Sequence, residues 1–281
     1  IYFNGTSGLQ SFSYGNLSST QQGFFNNLCS KAVVPAQCAN LTPSDKALAN
    51  SGTNLVDYLK GVRSYESTVA TASTGVSVTS AALYRKRDHL LGDIINGAPV
   101  HVGAPPFKYG DAGYADFVTQ QASRKNVVYV AANDGMLHAF SADPSDGGTE
   151  LWAFVPTAVL PNLYKLADSN YGIKHQYFVD GAPVMADIQV GGVWKTILVG
   201  GLNAGGQGFY ALDITDPSSP RVLWEFSDAN DANMGLSFGN PLITKLANGT
   251  WVVAVSSGYN NTSDDGQGHL YILNANSGAK L

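Results

Sequence analysis

Three groups of residues have types and spacings that could do chemistry. Gly235-Leu236-Ser237-Phe238-Gly239 has the Gly-x-Ser-x-Gly spacing of a nucleophile elbow. That chemistry requires a strand, a sharp turn and then a helix, so that the hydroxyl stands exposed at the turn. Here Asn240-Pro241 follows at once and a strand continues, so Ser237 reads as a structural position. Asn260-Asn261-Thr262-Ser263-Asp264-Asp265-Gly266 sets oxygen-bearing side chains at alternating positions. Asn260, Thr262, Asp264 and Asp265 are candidate calcium ligands, although the distal bidentate Glu of an EF-hand loop is missing. A plain turn competes with this reading, because Asn, Asp and Gly suit tight turns for backbone reasons alone. Asp143-Pro144-Ser145-Asp146-Gly147 with Glu150 is a weaker candidate of the same kind. Cys29 and Cys38 are the two cysteines. In an oxidising compartment their spacing closes a short disulfide loop. Free thiols are the alternative, and a zinc site is poorly served with no further Cys or nearby His.

Other chemistry finds less support. The five histidines are scattered without metal-ligand spacing, and His138 and His269 fall at neighbouring sites of similar strands, which favours a structural role. Gly205-Gly206-Gln207-Gly208 lies between two strands and opens no helix that could hold phosphate. Net charge is −5, so no basic face for nucleic acid is expected. Arg85-Lys86-Arg87, the densest basic cluster, is expected to pack its stems and solvate its heads. No stretch approaches the length of apolar sequence that a transmembrane helix needs.

The elements that must position these residues are legible as a repeat. Asn96-Gly97-Ala98-Pro99-Val100, Asp180-Gly181-Ala182-Pro183-Val184 and Phe238-Gly239-Asn240-Pro241-Leu242 each open a unit. A hydrophobic strand follows each time: Asn126–Val130, Thr196–Val199 and Trp251–Val255. A Gly-containing turn and another strand come next, over 134–140, 206–213 and 266–273. Two units close alike, Glu150-Leu151-Trp152-Ala153-Phe154 and Val222-Leu223-Trp224-Glu225-Phe226. The third breaks off at Leu281, where its closing strand should begin. Four strands per unit is the signature of a β-propeller blade. With 13% charged and 44% apolar residues and 31 glycines, the composition suits an all-β domain of turns and short strands rather than disorder. Three blades do not close a propeller, so either further blades lie beyond Leu281 or this is an open fragment.

Residues 1–90 lack the repeat and are expected to form a partly helical preface, with the incomplete propeller over 91–281. Ser18-Ser19-Thr20 can cap a short helix through Leu28, and Thr53 looks like an N-cap for 54–60, with Gly61 at its left-handed C-cap. Residues 67–81 read as a loop. The insertions 104–124 and 156–176, the latter with a short-helix pattern, and the loop 228–235 are expected to form the contact surface. Trp152, Trp194, Trp224 and Trp251 are expected to pack between blades.

These motifs together resemble the PilC/PilY family of type IV pilus tip-associated adhesins and biogenesis factors. The resemblance runs from Tyr84-Arg85-Lys86-Arg87 and Leu91–Val100 through Ala132–Phe140, Leu151–Pro156, Tyr177–Gly181, Trp194–Leu202 and Tyr210–Pro217 to Leu223–Asp228. It implies a quinoprotein-like β-propeller and a non-enzymatic role in pilus biogenesis, adhesion and twitching motility: priming assembly, opposing retraction and contacting surfaces. It implies minor pilins of the tip complex and a host surface receptor as partners. It also implies a bacterial cell-surface location at the pilus tip, by way of the periplasm and outer membrane. The family's calcium loop is an Asp-rich run in a later blade. No Asp-x-Asp-x-Asp run occurs here, so calcium control is carried over to no residue. Two other classes compete: a pyrroloquinoline quinone-dependent dehydrogenase, against which the absence of adjacent cysteines weighs, and a lectin-like propeller.

Overall fold

Proline has no backbone N–H to give to a ladder, so it belongs where a strand begins. Pro99, Pro183 and Pro241 stand immediately before, or one residue ahead of, the first strand of each unit in the computed structural model. The structure describes residues 1–31, 35–39, 41–66, 83–263 and 266–281. After a hairpin of β1 (Tyr2–Gly5) and β2 (Gly8–Ser11), the first blade runs β3 (Val100–Val102), β4 (Val127–Ala132), β5 (Met136–Ser141) and β6 (Glu150–Val155). The second runs β7 (Val184–Val190), β8 (Val193–Gly201), β9 (Gly208–Asp213) and β10 (Arg221–Ser227). The third has β11 (Leu242–Lys245), β12 (Trp251–Ser256) and β13 (Leu270–Asn274). Its closing strand is marked by a bridge from Leu273 to Lys280.

Each blade is an antiparallel meander. The sequence repeat is also the structural register: Val100 faces Tyr129, Val184 faces Val199 and Leu242 faces Ala254. The first strands lie side by side, β3 against β7 and β7 against β11, and the sheets fan out from them without closing. The glycine of the opening step has a steric reason. A Cβ at Gly97 would lie 2.6 Å from Ala131 O, and one at Gly181 would lie 2.3 Å from Gly201 O.

The preface packs across the boundary drawn at residue 91. β1 pairs in parallel with β6, Tyr2 opposite Phe154 and Phe3 opposite Val155, which makes the first sheet six-stranded. Its helices are α1 (Ser19–Phe25), α2 (Leu28–Lys31), α3 (Pro35–Ala39), α4 (Pro43–Ala49) and α5 (Gly52–Leu59). Ser18 caps α1 in a full capping box with Gln21. The second expected cap is corrected. Ser51, not Thr53, caps α5 by accepting from Asn54 N, so the helix starts two residues early. Buried Gly52 permits this start, because a Cβ there would meet Tyr14 at 2.3 Å. Gly61, at φ +109°, follows the helix as expected. Phe3, Phe12, Phe25, Leu55, Val56 and Tyr58 share one core with the first blade. The loop expected over 67–81 lies outside the described residues.

The insertions differ from expectation. Within 104–124 lies α6 (Tyr114–Gln120), which buries Tyr114 and Phe117. Residues Thr157–Ala167 form a 3-10 helix that buries Val159, Leu160, Leu163 and Leu166. Both insertions use apolar side chains to build core, while the remainder, including most of 104–124, faces solvent. Ile173, 88% exposed, is a part of the second that does face solvent.

Candidate functional site

The tryptophans and Ser237 singled out by the sequence lie at the joints between blades. In β6 and in β10 a β-bulge falls at the residue before the tryptophan. The pairing skips Leu151 between Glu150 and Trp152, and Leu223 between Val222 and Trp224. A bulge re-aims the side chain that follows it. Trp152 Nε1 donates to Pro217 O at 2.7 Å, and Trp224 Nε1 donates to Ala275 O at 2.9 Å. Each acceptor lies after the third strand of the next blade, so one device is used twice. All four tryptophans are 4–7% exposed, as expected for packing between blades.

A second set of contacts sits near the first strands. Asp180, 1% exposed, accepts from Asn96 N at 3.2 Å and from Asn96 Nδ2 at 2.6 Å, and its own carbonyl accepts from Asn203 Nδ2. The two residues that open successive units therefore bond to each other. Asn133 Nδ2 donates to Asp93, while Asn133 Oδ1 accepts from Phe178 N at 2.9 Å. Ser237 belongs to the same kind of joint. It is fully buried, and its Oγ accepts from Leu202 N at 2.9 Å and donates to Gly206 O at 3.3 Å. No helix follows it, so the elbow reading has no structural support there.

His138 bridges Asp134, 3.1 Å from Nε2, and Glu150, 2.7 Å from Nδ1. Burial alone would lower the imidazole, but the two carboxylates outweigh it and push it up to about 9. The hydrogen bond from His138 in turn holds Glu150 below its ordinary value. The ladder aligns His138 with Tyr210 and Tyr271, opposite Val130, Gly200 and Val255, and puts His269 two residues earlier. Arg87 pairs with Glu66 at 2.6 Å and lies over the Tyr58 ring, and Arg85 lies over Tyr171. The basic cluster thus packs its stems as expected, but the Arg87 head is buried in an ion pair rather than solvated.

The calcium candidates are not brought together by what is described. Thr262 Oγ1 donates to Ala232 O, Asn260 accepts at its backbone carbonyl from Gln207, and Asp264 and Asp265 lie outside the described residues. Among the described residues no group of three or more His, Cys, Asp or Glu side chains could hold a metal ion. In the second loop, Lys125 already stands between Asp143 and Asp146, at 3.2 and 2.9 Å. Cys29 and Cys38 form a disulfide that ties α2 to α3, with Cα atoms 5.6 Å apart.

Glu225 was missed by the motif reading. It accepts from Thr157 N and Thr157 Oγ1, both at 2.6 Å, and from Asn4 Nδ2 at 3.1 Å, which joins the preface, the 3-10 helix and the second blade. Burial raises its carboxyl against the effect of these bonds. The available signal was the copy-to-copy difference: Leu-Trp-Ala-Phe in one unit and Leu-Trp-Glu-Phe in the next.

The class is therefore a partial β-propeller whose polar side chains clamp each blade to its neighbour. The family model of the PilY1 β-propeller domain matches residues 91–280, and the chain belongs to that family. It is 37% identical, over 98% of its length, to the type IV pilus biogenesis factor PilY1 of Pseudomonas aeruginosa strain PAK, of which it covers 22%. It is 42% identical over 81% of its length to a PilY1 homolog of Xylella fastidiosa, of which it covers 18%. The crystal structure of the P. aeruginosa PilY1 C-terminal domain superposes with a TM-score of 0.53 at 36% identity. That match covers 64% of this chain and 36% of the other. The chain spans less than a quarter of the length of these curated relatives. Among the described residues no helix is long and apolar enough to cross a membrane.

Proposed function

We propose that this chain is a rigid, non-catalytic part of a type IV pilus biogenesis factor that acts at the cell surface, at the pilus tip. There it primes assembly, opposes retraction and contacts surfaces, with minor pilins as its assembly partners. The observation that carries this reading is the PilY1 β-propeller match over 91–280, joined to similarity to the biogenesis factor over nearly the whole chain. The repeated tryptophan clamps support it, since a surface that bears load between partners must not shear between blades. Calcium at the 260–265 loop stays part of the proposal through Asn260, Thr262, Asp264 and Asp265. Retention of minor pilins from the same bacterium on the immobilised folded chain, with and without calcium, tests it. Retention is the expected result. Failure of the folded chain to retain any pilin under either condition would remove assembly from these blades.

A further inference from the structure

A cleft of about 820 Å³ opens between the first and second blades, within the size range of ligand sites. Asn4 of β1, Thr157 at the start of the 3-10 helix, the turn 204–208 and the end of β10 wall it. Its formal charges are the carboxylates of Glu225 and Asp228, and no lysine or arginine lines it. The hydrogen bonds on Glu225 all come from neutral donors. Asp228 uses its backbone N–H on Gln207 O at 3.1 Å, and among the described residues no cation pairs with its carboxylate.

The cleft is one-sided in charge. Asn4 Nδ2 is turned to Glu225 and Gln207 Nε2 to Asn260 O, and Thr157 gives both its donors to Glu225. The Asp228 carboxylate, Asn4 Oδ1 and Gln207 Oε1 offer acceptors to a ligand, beside the neutral side chains of Asn162, Tyr210, Ser227 and Asn230. Ammonium and guanidinium groups are the side-chain heads that donate and never accept. Phe24 and Phe209 on the same walls suit the alkyl stem or the flat face of such a side chain. We propose that this cleft receives the cationic side chain of an arginine- or lysine-bearing segment of a partner protein. A neutral glycan is less well matched, because it brings no positive charge to the Asp228 carboxylate. The inference does not depend on the pilus role, since it rests on the cleft alone.

The test is fluorescence anisotropy with a labelled, acetylated and amidated peptide alternating arginine and glycine. The same peptide with citrulline, neutral and nearly isosteric, is the comparison. The arginine peptide is expected to bind about tenfold more tightly, as for a charge-assisted bond. Asp228→Asn is expected to weaken it by about threefold, as for a part-exposed pair. Ala229→Lys, at an exposed position on the rim, supplies a competing cation and is expected to remove binding. Asp88→Asn changes an exposed carboxylate outside the cleft and is expected to leave binding unchanged. Unchanged melting temperatures certify that the variants are folded. Equal affinity for the citrulline peptide, or full binding by folded Ala229→Lys, overturns the proposal. So does an uncharged oligosaccharide that binds in an Ala229→Lys-sensitive way while the arginine peptide does not.

Discussion

The joint between the first and second blades and the joint between the second and third share one clamp and differ in everything around it. Both have a bulge, then a tryptophan, then an indole N–H on a carbonyl of the next blade. The first joint is then closed by polar bonds, Asp180 with Asn96 and Asn203, and Glu225 with Thr157 and Asn4. The second is closed mainly by rings, with Ser237 bonded to Leu202 N and Gly206 O beside them. Tyr109 stacks on Trp194 with centroids 5.6 Å apart and meets Trp251 edge-on at 5.4 Å, while Tyr114 packs on Trp194 at 4.6 Å. Beneath the rings, Tyr114 Oη donates to the fully buried Asp187 at 2.7 Å, and Asp187 also accepts from Thr196 Oγ1. Burial, reinforced by the Asp187 carboxylate, pushes the Tyr114 phenol up, so it remains a donor at ordinary pH. The repeat thus dictates the clamp, while the insertions dictate the filling. An insertion that brings aromatic residues yields a ring-packed joint. A joint that takes polar residues instead leaves a cleft at its rim.

The comparison can be broken most forcefully at the clamp. Trp152→Ala and Trp224→Ala should each cost about 3–5 kcal/mol, as buried aromatic truncations do. Urea unfolding would measure the loss. Trp224→Ala should also expose the third blade to limited proteolysis before the rest, and simultaneous cleavage throughout would show that the joints are not separable. Removing the preface staple with Cys29→Ala and Cys38→Ala together should cost about 3 kcal/mol for a loop this short. That loss should appear in thermal unfolding and leave the protection of the third blade untouched.

Two smaller effects sharpen the contrast. Tyr114→Phe leaves a fully buried carboxylate short of a donor and should cost about 2 kcal/mol. Hydrogen exchange should rise in β7 and β8 and not in β5 and β6. In the first blade, the His138 imidazole is held at about 9, above its free value of 6.5. Protonated His138 is therefore favoured by folding. Its contribution is fully present below pH 6.5 and is lost as pH rises through about 9. The melting temperature should fall across that window, by the equivalent of about 3 kcal/mol. His138→Gln should flatten the fall, and an unflattened profile would place the titrating group elsewhere.

Strand content and the order of strands were legible because period and punctuation repeat. The Pro-x step, the hydrophobic run and the Leu-Trp close recur with the spacing that an antiparallel meander needs. The tryptophans were readable as packing residues for the same reason. The cap of α5 was misplaced because Thr53 and Ser51 are both good caps, and the choice fell to the space around Gly52. The core-building side chains of the insertions could not be placed from sequence, because an apolar pattern shows that a segment must bury something, not where. Glu225 could be found only by asking why one copy carries a carboxylate where the other has alanine.

By itself the sequence determined the blades: how many strands each repeat has and where each opens, since those follow from local pattern and proline chemistry. Tertiary structure alone decided that β1 would lie parallel on β6, that the preface would share the first blade's core, and that one joint would be polar and the other aromatic. Those outcomes depend on contacts between residues tens to hundreds of positions apart, such as Asn4 and Glu225, 221 residues from one another. No periodicity encodes such a pairing. It exists only once the blades have brought both ends to the same rim.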